Sequence, residues 1–180
     1  ADDTFYMGEC KGSGKSNYIV SADFVEEDKA LYLDYDVLVT KNLDDLFEID
    51  LQDYPLAAVR DYGGKVYYDQ EMFNTGVLLI NNRVWKQENM TQRLMDLTDK
   101  LHDKVDMVDQ LMLNKLFENK WLEIDFDNHY IVSHRQFTDY KLPKSQDYPG
   151  IIQYPSNRKP WDNLGIQAYR NVWWYYHNLE

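Results

Sequence analysis

The best apolar run in this chain is Val77-Leu78-Leu79-Ile80, closed by Asn81 and Asn82. A run of that length suits a buried strand and falls far short of the roughly 20 residues that span a bilayer. It sets the pattern from Ala22 onward, where short buried-type strands alternate with helical stretches, an α/β signature. Ala30-Leu31-Tyr32-Leu33 and Val37-Leu38-Val39 are strand candidates, and Asn42 to Phe47 reads as a capped helical turn. Leu56-Ala57-Ala58-Val59 is another strand, followed by a turn at Gly63-Gly64. Met90, Leu94, Leu97 and Leu101 recur at spacings of four, three and four, which gives a helix one apolar face. A second helix, starting near Asp106, carries Leu113, Leu116 and Phe117. The last third is rich in aromatic residues, with loops expected around Pro143, Pro149 and Pro155.

A chain of 180 residues fits one domain with a real core. The composition changes near residue 20, so residues 1–20 are set apart from a main domain at 21–180. Gly8, Gly12, Ser13, Gly14, Lys15 and Ser16 suggest a loop. Gly14-Lys15-Ser16 is no phosphate loop, because position 9 is Glu where that motif needs Gly, and no apolar strand precedes it. With Cys10 as the only cysteine, neither an internal disulfide nor a cysteine metal cluster can form. The acidic start Ala1-Asp2-Asp3 does not read as a signal peptide, and a cytoplasmic enzyme is the simplest expectation. A net charge of −12 argues against nucleic acid as a partner. An acidic protein that holds a diphosphate needs a cation in between, and a divalent ion on carboxylates is the usual answer.

The sharpest local feature is Leu31-Tyr32-Leu33-Asp34-Tyr35-Asp36-Val37. Along an extended segment side chains alternate, so Asp34 and Asp36 face the same way where a buried strand ends. In open α/β sheets that is the ligand crevice. Convergent carboxylates repel unless a cation lies between them, and hard oxygen ligands favour Mg²⁺ or Mn²⁺. A polar turn after a strand is the plainer alternative for a motif this short.

The surrounding order of motifs is far more specific. The Asp34-Tyr35-Asp36 strand followed by Leu43-Asp44-Asp45-Leu46-Phe47 resembles the metal-binding strand and turn of glycosyltransferase family 8, retaining enzymes of the GT-A fold. Phe73-Asn74-Thr75-Gly76-Val77-Leu78-Leu79-Ile80-Asn81, with Trp85 after it, looks like the family's "FN(A/S)GVLLIN" strand. Asp109-Gln110 with Leu113-Asn114 resembles its "DQ..LN" helix, and Lys159-Pro160-Trp161 the end of its "HY…KPW" segment. The ending Tyr169-Arg170-Asn171-Val172-Trp173-Trp174 is similar to bacterial members, particularly streptococcal enzymes that extend glycans on serine-rich adhesins. The resemblance covers roughly residues 21–180.

It implies a Rossmann-like GT-A fold that moves a hexose from a UDP-sugar to a glycan or glycoprotein acceptor, with Mn²⁺ or Mg²⁺. Asp34 and Asp36, with Tyr35 between them, would hold the metal and the donor's diphosphate. Lys159 would add positive charge there; a solvated surface lysine is the plainer reading. Asp61 would accept hydrogen bonds from sugar hydroxyls. Asn74 and Thr75 would bind sugar, although an asparagine satisfying a turn is the rival account. Asp109 would bind hydroxyls and Gln110 would stabilise the reacting sugar. Without the family, Asp109 is an acidic residue supporting a helix start. Trp173, Trp174, Tyr175 and Tyr176 point several ways around a helix, which favours core packing or a homo-oligomer contact over sugar stacking.

Two departures stand out. Members carry a long nucleotide-binding half before the Asp-x-Asp strand, and here about twenty residues stand in its place, so a shortened N-terminal half is expected. The third metal ligand of the family, the histidine of "HY…KPW", is Gln153 here. A glutamine oxygen binds Mg²⁺ or Mn²⁺, but it is a weaker donor to Mn²⁺ than imidazole. His129 and His134 lie too far along the chain to be taken as substitutes. Both departures leave room for a catalytically weak homologue that serves as a sugar-binding or assembly subunit.

Overall fold

The computed structural model describes residues 8–10, 17–19, 25–101, 108–133, 148–155, 159–162 and 168–179, with 8–10, 17–19 and 108–109 as backbone alone. Gly14-Lys15-Ser16, Asp106, His134 and Pro143 lie outside the described residues. A hairpin comes first, β1 (Gly8–Cys10) pairing antiparallel with β2 (Asn17–Ile19). Gly8 therefore belongs to a strand rather than a loop, since pairing with Ile19 overrides its weak strand preference.

Four strands form the main sheet: β3 (Lys29–Leu33), β5 (Leu56–Ala58), β8 (Val77–Asn81) and β9 (Leu122–Glu123), in the order β3-β8-β5-β9. β8 runs antiparallel to both neighbours, and β5 is parallel to β9. All five residues of β8 are buried, which is why its sequence is a continuous apolar run rather than an alternating one. Its side chains still alternate between two cores. Leu78 and Ile80 join Leu56, Ala58 and Phe73 beneath α3 (Asn82–Gln87), α4 (Met90–Leu101) and α5 (Val108–Leu116). Val77 and Leu79 join Ala57 and Val59 on the opposite face. Burial of one such aliphatic side chain is worth about 2 kcal/mol. The periodicity of α4 is as expected: Met90 and Leu94 are buried in the first core, and Leu97 and Leu101 pack against it.

The second face is covered by a three-stranded sheet of order β10-β11-β4, made of β4 (Val37–Val39), β10 (Tyr130–Ile131) and β11 (Ile151–Gln153). β11 is central, parallel to β10 and antiparallel to β4. Ile151 faces the second core, while Ile152 faces a third with Tyr130, Tyr154 and Val172. The register sets Gln153 beside Val37 on one side and Ile131 on the other. Closing the third core is α6 (Arg170–His177), whose Trp174 donates to the Pro160 carbonyl at 3.0 Å. Trp173 lies 5.3 Å from Trp161 and stacks on His177. These aromatics thus tie α6 to the segment carrying Lys159, as packing residues, while Tyr175 stays exposed.

α1 (Asp44–Glu48) follows β4, and Asn42 accepts a hydrogen bond from Asp44 N at 2.7 Å to start it. A short ribbon of β6 (Arg60–Asp61) and β7 (Met72–Phe73) flanks α2 (Tyr62–Tyr68). Gly63 and Gly64 do not form the expected turn; they occupy the first turn of α2. Asp61 caps that helix, accepting from Gly63 N at 2.8 Å and Gly64 N at 3.3 Å. Gly64 answers a close approach, since a Cβ there would lie 2.8 Å from Cβ of Met72. Among the described residues no helix is long and apolar enough to cross a membrane.

Candidate active site

Pairing of β3 with β8 continues one residue past Leu33, through Asp34 N donating to Gly76 O at 2.8 Å. The chain then turns at Tyr35-Asp36 before β4. The carboxylates therefore converge because of a turn, and not through the extended alternation that the sequence suggests. They meet at one atom: Gln153 Nε2 donates to Asp34 Oδ2 at 3.0 Å and to Asp36 Oδ1 at 3.3 Å. Tyr32 donates its hydroxyl to Asp34 Oδ1 at 2.8 Å. Lys159 Nζ donates to Asp36 Oδ2 at 2.5 Å and to Tyr154 O at 2.7 Å. Lys159 is thus no solvated surface lysine; its side chain is 13% exposed and its charge is set against Asp36. Tyr35 turns outward, 86% exposed, with Lys159 Nζ 5.3 Å from its ring centre.

A charge-assisted ammonium contact and amide donors offset the repulsion between the two carboxylates. The same oxygens suit a hard divalent cation. Among the described residues no third His, Cys, Asp or Glu completes a cation-binding group with them. Gln153 stands at the right place for a third oxygen donor, but the end it presents is nitrogen. Its Oε1 lies 2.9 Å from Nε2 of His129, and both residues are buried. Gly76 leaves room for this arrangement, since a Cβ there would come within 2.0 Å of Gln153 Nε2.

A second polar cluster adjoins the first. Asp61 Oδ2 accepts from Gln110 Nε2 at 2.8 Å and from Asn74 Nδ2 at 3.5 Å. Thr75 Oγ1 donates to Gln110 Oε1 at 3.4 Å. Asn114 fixes the strand to the helix, accepting from Phe73 N at 2.8 Å and donating to Phe73 O at 2.9 Å. Asn74 Oδ1 accepts from Gly76 N at 2.8 Å, so the segment 74–76 links this cluster to Asp34. Asn74 thus both satisfies a turn and borders the cluster. Asp109 falls in α5, one residue before Gln110, and its side chain lies outside the described residues. Beside the site, burial and then the neighbouring Tyr169 push the Tyr154 phenol above the ordinary tyrosine range.

His129 was not legible as a neighbour of Gln153, because their contact spans 24 residues and depends on β10 pairing with β11. His129 lies two residues before Ile131, the register partner of Gln153, and so shares its face. The available signal was Ile151-Ile152 between Pro149 and Pro155, a β-branched pair bounded by turn residues.

This mixed sheet, with α3, α4 and α5 packed on one face, is the GT-A fold of the glycosyltransferases. The chain belongs to glycosyltransferase family 8: the family model described as "Glycosyl transferase family 8" matches residues 17–165. Glycosyltransferase GlyA of Streptococcus pneumoniae is 69% identical over 159 residues, covering 88% of this chain and 23% of GlyA. Probable glycosyl transferase Gly of Streptococcus gordonii is 48% identical, over 88% of this chain and 23% of that protein. The chain therefore spans about a quarter of the length of these relatives. The crystal structure of the glycosyltransferase GlyE of Streptococcus pneumoniae superposes with a TM-score of 0.76 at 39% identity, covering 88% of this chain and 42% of that one. The galactosyltransferase LgtC, solved with donor and acceptor sugar analogs, shares the fold with a TM-score of 0.70 at 24% identity, over 86% of this chain and 62% of LgtC.

Proposed function

We propose that the protein containing this chain is a retaining hexosyltransferase that moves a sugar from a UDP-sugar to a glycan or glycoprotein acceptor. The observation that carries the reading is the convergence of Asp34, Asp36 and Lys159 at a strand end, beside the Asp61, Asn74 and Gln110 cluster. Asp34 and Asp36 would hold Mn²⁺ or Mg²⁺, with Gln153 Oε1 as a third ligand. Such an ion supplies electrostatic stabilisation of the leaving diphosphate when bound. Lys159, already inside this charge cluster, would contact the same diphosphate. Tyr35, exposed beside it, would line the donor's entry. Asp61 would orient sugar hydroxyls, its carboxylate held by α2 and Gln110. Thr75 and Asn74 would flank the sugar. Gln110 is a poor nucleophile, since its amide oxygen carries no formal charge, so its role is to stabilise the reacting sugar. Asp109 would bind hydroxyls.

A second reading, a sugar-binding or assembly subunit with weak catalysis, draws on Gln153 Nε2 and Lys159 already satisfying both carboxylates. Thermal melting with UDP, with and without Mn²⁺, separates the two. A ligand that binds only the folded state raises stability by about 2.7 kcal/mol at a hundredfold excess over Kd. Mn²⁺-dependent stabilisation together with hydrolysis of one UDP-sugar in a panel supports the transferase. Stabilisation by free sugars without hydrolysis favours the subunit.

A further inference from the structure

Gln153 is held from both ends, and the chemistry of the two ends differs. An amide carries donors on nitrogen and an acceptor on oxygen. With nitrogen toward Asp34 and Asp36, as found, Oε1 faces His129 Nε2 at 2.9 Å. That imidazole nitrogen must then carry the hydrogen, which fixes the Nε2–H tautomer of neutral His129. In the reverse orientation Oε1 would face two carboxylate oxygens, and Nε2 of Gln153 would face His129. The imidazole would then have to accept, with its hydrogen moved to Nδ1. Neither side chain has space to avoid the choice, because Gln153 is 2% exposed, His129 is fully buried, and Gly76 lies directly against the amide.

We propose that His129 is a positioning residue whose tautomer is coupled to which end of the Gln153 amide faces Asp34 and Asp36. Imidazole tautomer and amide orientation change together, and both must reverse for Gln153 Oε1 to ligate a cation at the carboxylates. The second statement rests on the cation reading given under Proposed function; the first does not.

The test uses the chain labelled with ¹⁵N-histidine, whose four histidines are resolved by long-range proton–nitrogen correlation at a pH where imidazoles are neutral. Spectra are recorded in chelator, then with saturating Mg²⁺ and UDP, with Mg²⁺ uptake followed by calorimetry on the same protein. Gln153→Leu assigns the His129 signal through the shift it causes. The expected result is the Nε2–H tautomer in chelator and the Nδ1–H tautomer once Mg²⁺ is bound. In Gln153→Leu the tautomer ratio should relax toward that of free imidazole. An Nδ1–H tautomer in chelator overturns the proposal, and so does Mg²⁺ uptake that Gln153→Leu weakens but that brings no change of tautomer in the wild type. Uptake equal in both proteins overturns Gln153 as a ligand in the cation reading instead. Absence of Mg²⁺ uptake overturns the cation reading instead, while Nε2–H in chelator still supports the hold of His129 on the amide. If Gln153→Leu does not fold, the wild-type comparison decides the matter, with His129→Phe assigning the signal by deleting it.

Discussion

At the residue scale the proposed function rests on the acidic pair, and its substitution separates chemistry from folding. Asp34→Ala or Asp36→Ala should abolish metal-dependent UDP-sugar turnover while the far-UV spectrum and cooperative melting persist, because the apolar cores hold neither carboxylate. Near-normal turnover of either variant in excess chelator would show that no metal acts there. Gly76 makes a sharper case, since Gly76→Ala would place a methyl within 2.0 Å of Gln153 Nε2. Over-packing of this kind costs about 1–3 kcal/mol. The amide should be pushed away from Asp34 and Asp36, so divalent-cation affinity measured by calorimetry should fall at least tenfold. Unchanged affinity would mean that Gln153 takes no part in the ion's binding. Gln153→His tests the same position from the other side. It replaces a neutral oxygen by an imidazole nitrogen, which Mn²⁺ accepts more readily than Mg²⁺ does. Mn²⁺ affinity should rise, with a smaller effect for Mg²⁺, in titrations with UDP; equal affinities in the two proteins would count against ligation from position 153. The sequence exposed Asp34, Asp36 and Gln153 as members of a motif. It could not show that the amide turns its nitrogen to the carboxylates, because the fold alone brings Asp34, Asp36 and His129 together around Gln153.

At the element scale, Asp61 shows how one residue serves the fold and the site together. It caps α2 through Oδ1 and holds Gln110 through Oδ2. Asp61→Asn keeps an oxygen for the cap and loses only the acceptor facing Gln110, so melting should shift by no more than a few degrees, since one hydrogen bond is worth about 1 kcal/mol. Turnover should drop at least tenfold if the carboxylate orients sugar hydroxyls. A drop no larger than the stability change predicts would reduce Asp61 to a helix cap. The long elements were legible: β8 as an apolar run, and α4 from its four-three-four spacing. Short elements were not. Gly63-Gly64 reads as a turn because two glycines weaken a helix, yet the Asp61 cap and the close approach of Met72 override that preference. Ile151–Gln153 is only three residues long, and its strand character comes from partners on β4 and β10 that are distant in sequence.

At the scale of the whole molecule, β11 joins two cores, with Ile151 in one and Ile152 in the other, and delivers Gln153 to the site. Tyr154 follows directly, buried in the third core and donating to Tyr169 O at 3.0 Å. Stability at alkaline pH should therefore report on the same region. Burial favours the neutral phenol, so its folded pKa lies above the ordinary value of 10.0. Below that pH the phenol is neutral in both folded and unfolded chains, and its ionisation does not affect stability. Above it the unfolded phenol ionises while the folded one stays neutral, and stability is lost as pH climbs toward the folded pKa. The slope for one proton is about 1.4 kcal/mol per pH unit. Tyr154→Phe removes that term, together with a hydrogen bond worth about 1 kcal/mol. At neutral pH the variant should melt about 2–4 °C below the wild type. Every other titrating group is common to the two proteins, so its contribution cancels in the difference between them. Raising the pH to about one unit above the ordinary phenol value should close that gap, because the wild type alone loses the Tyr154 term. Melting curves that stayed parallel across the alkaline range would show that Tyr154 ionises as readily in the folded chain as in the unfolded one.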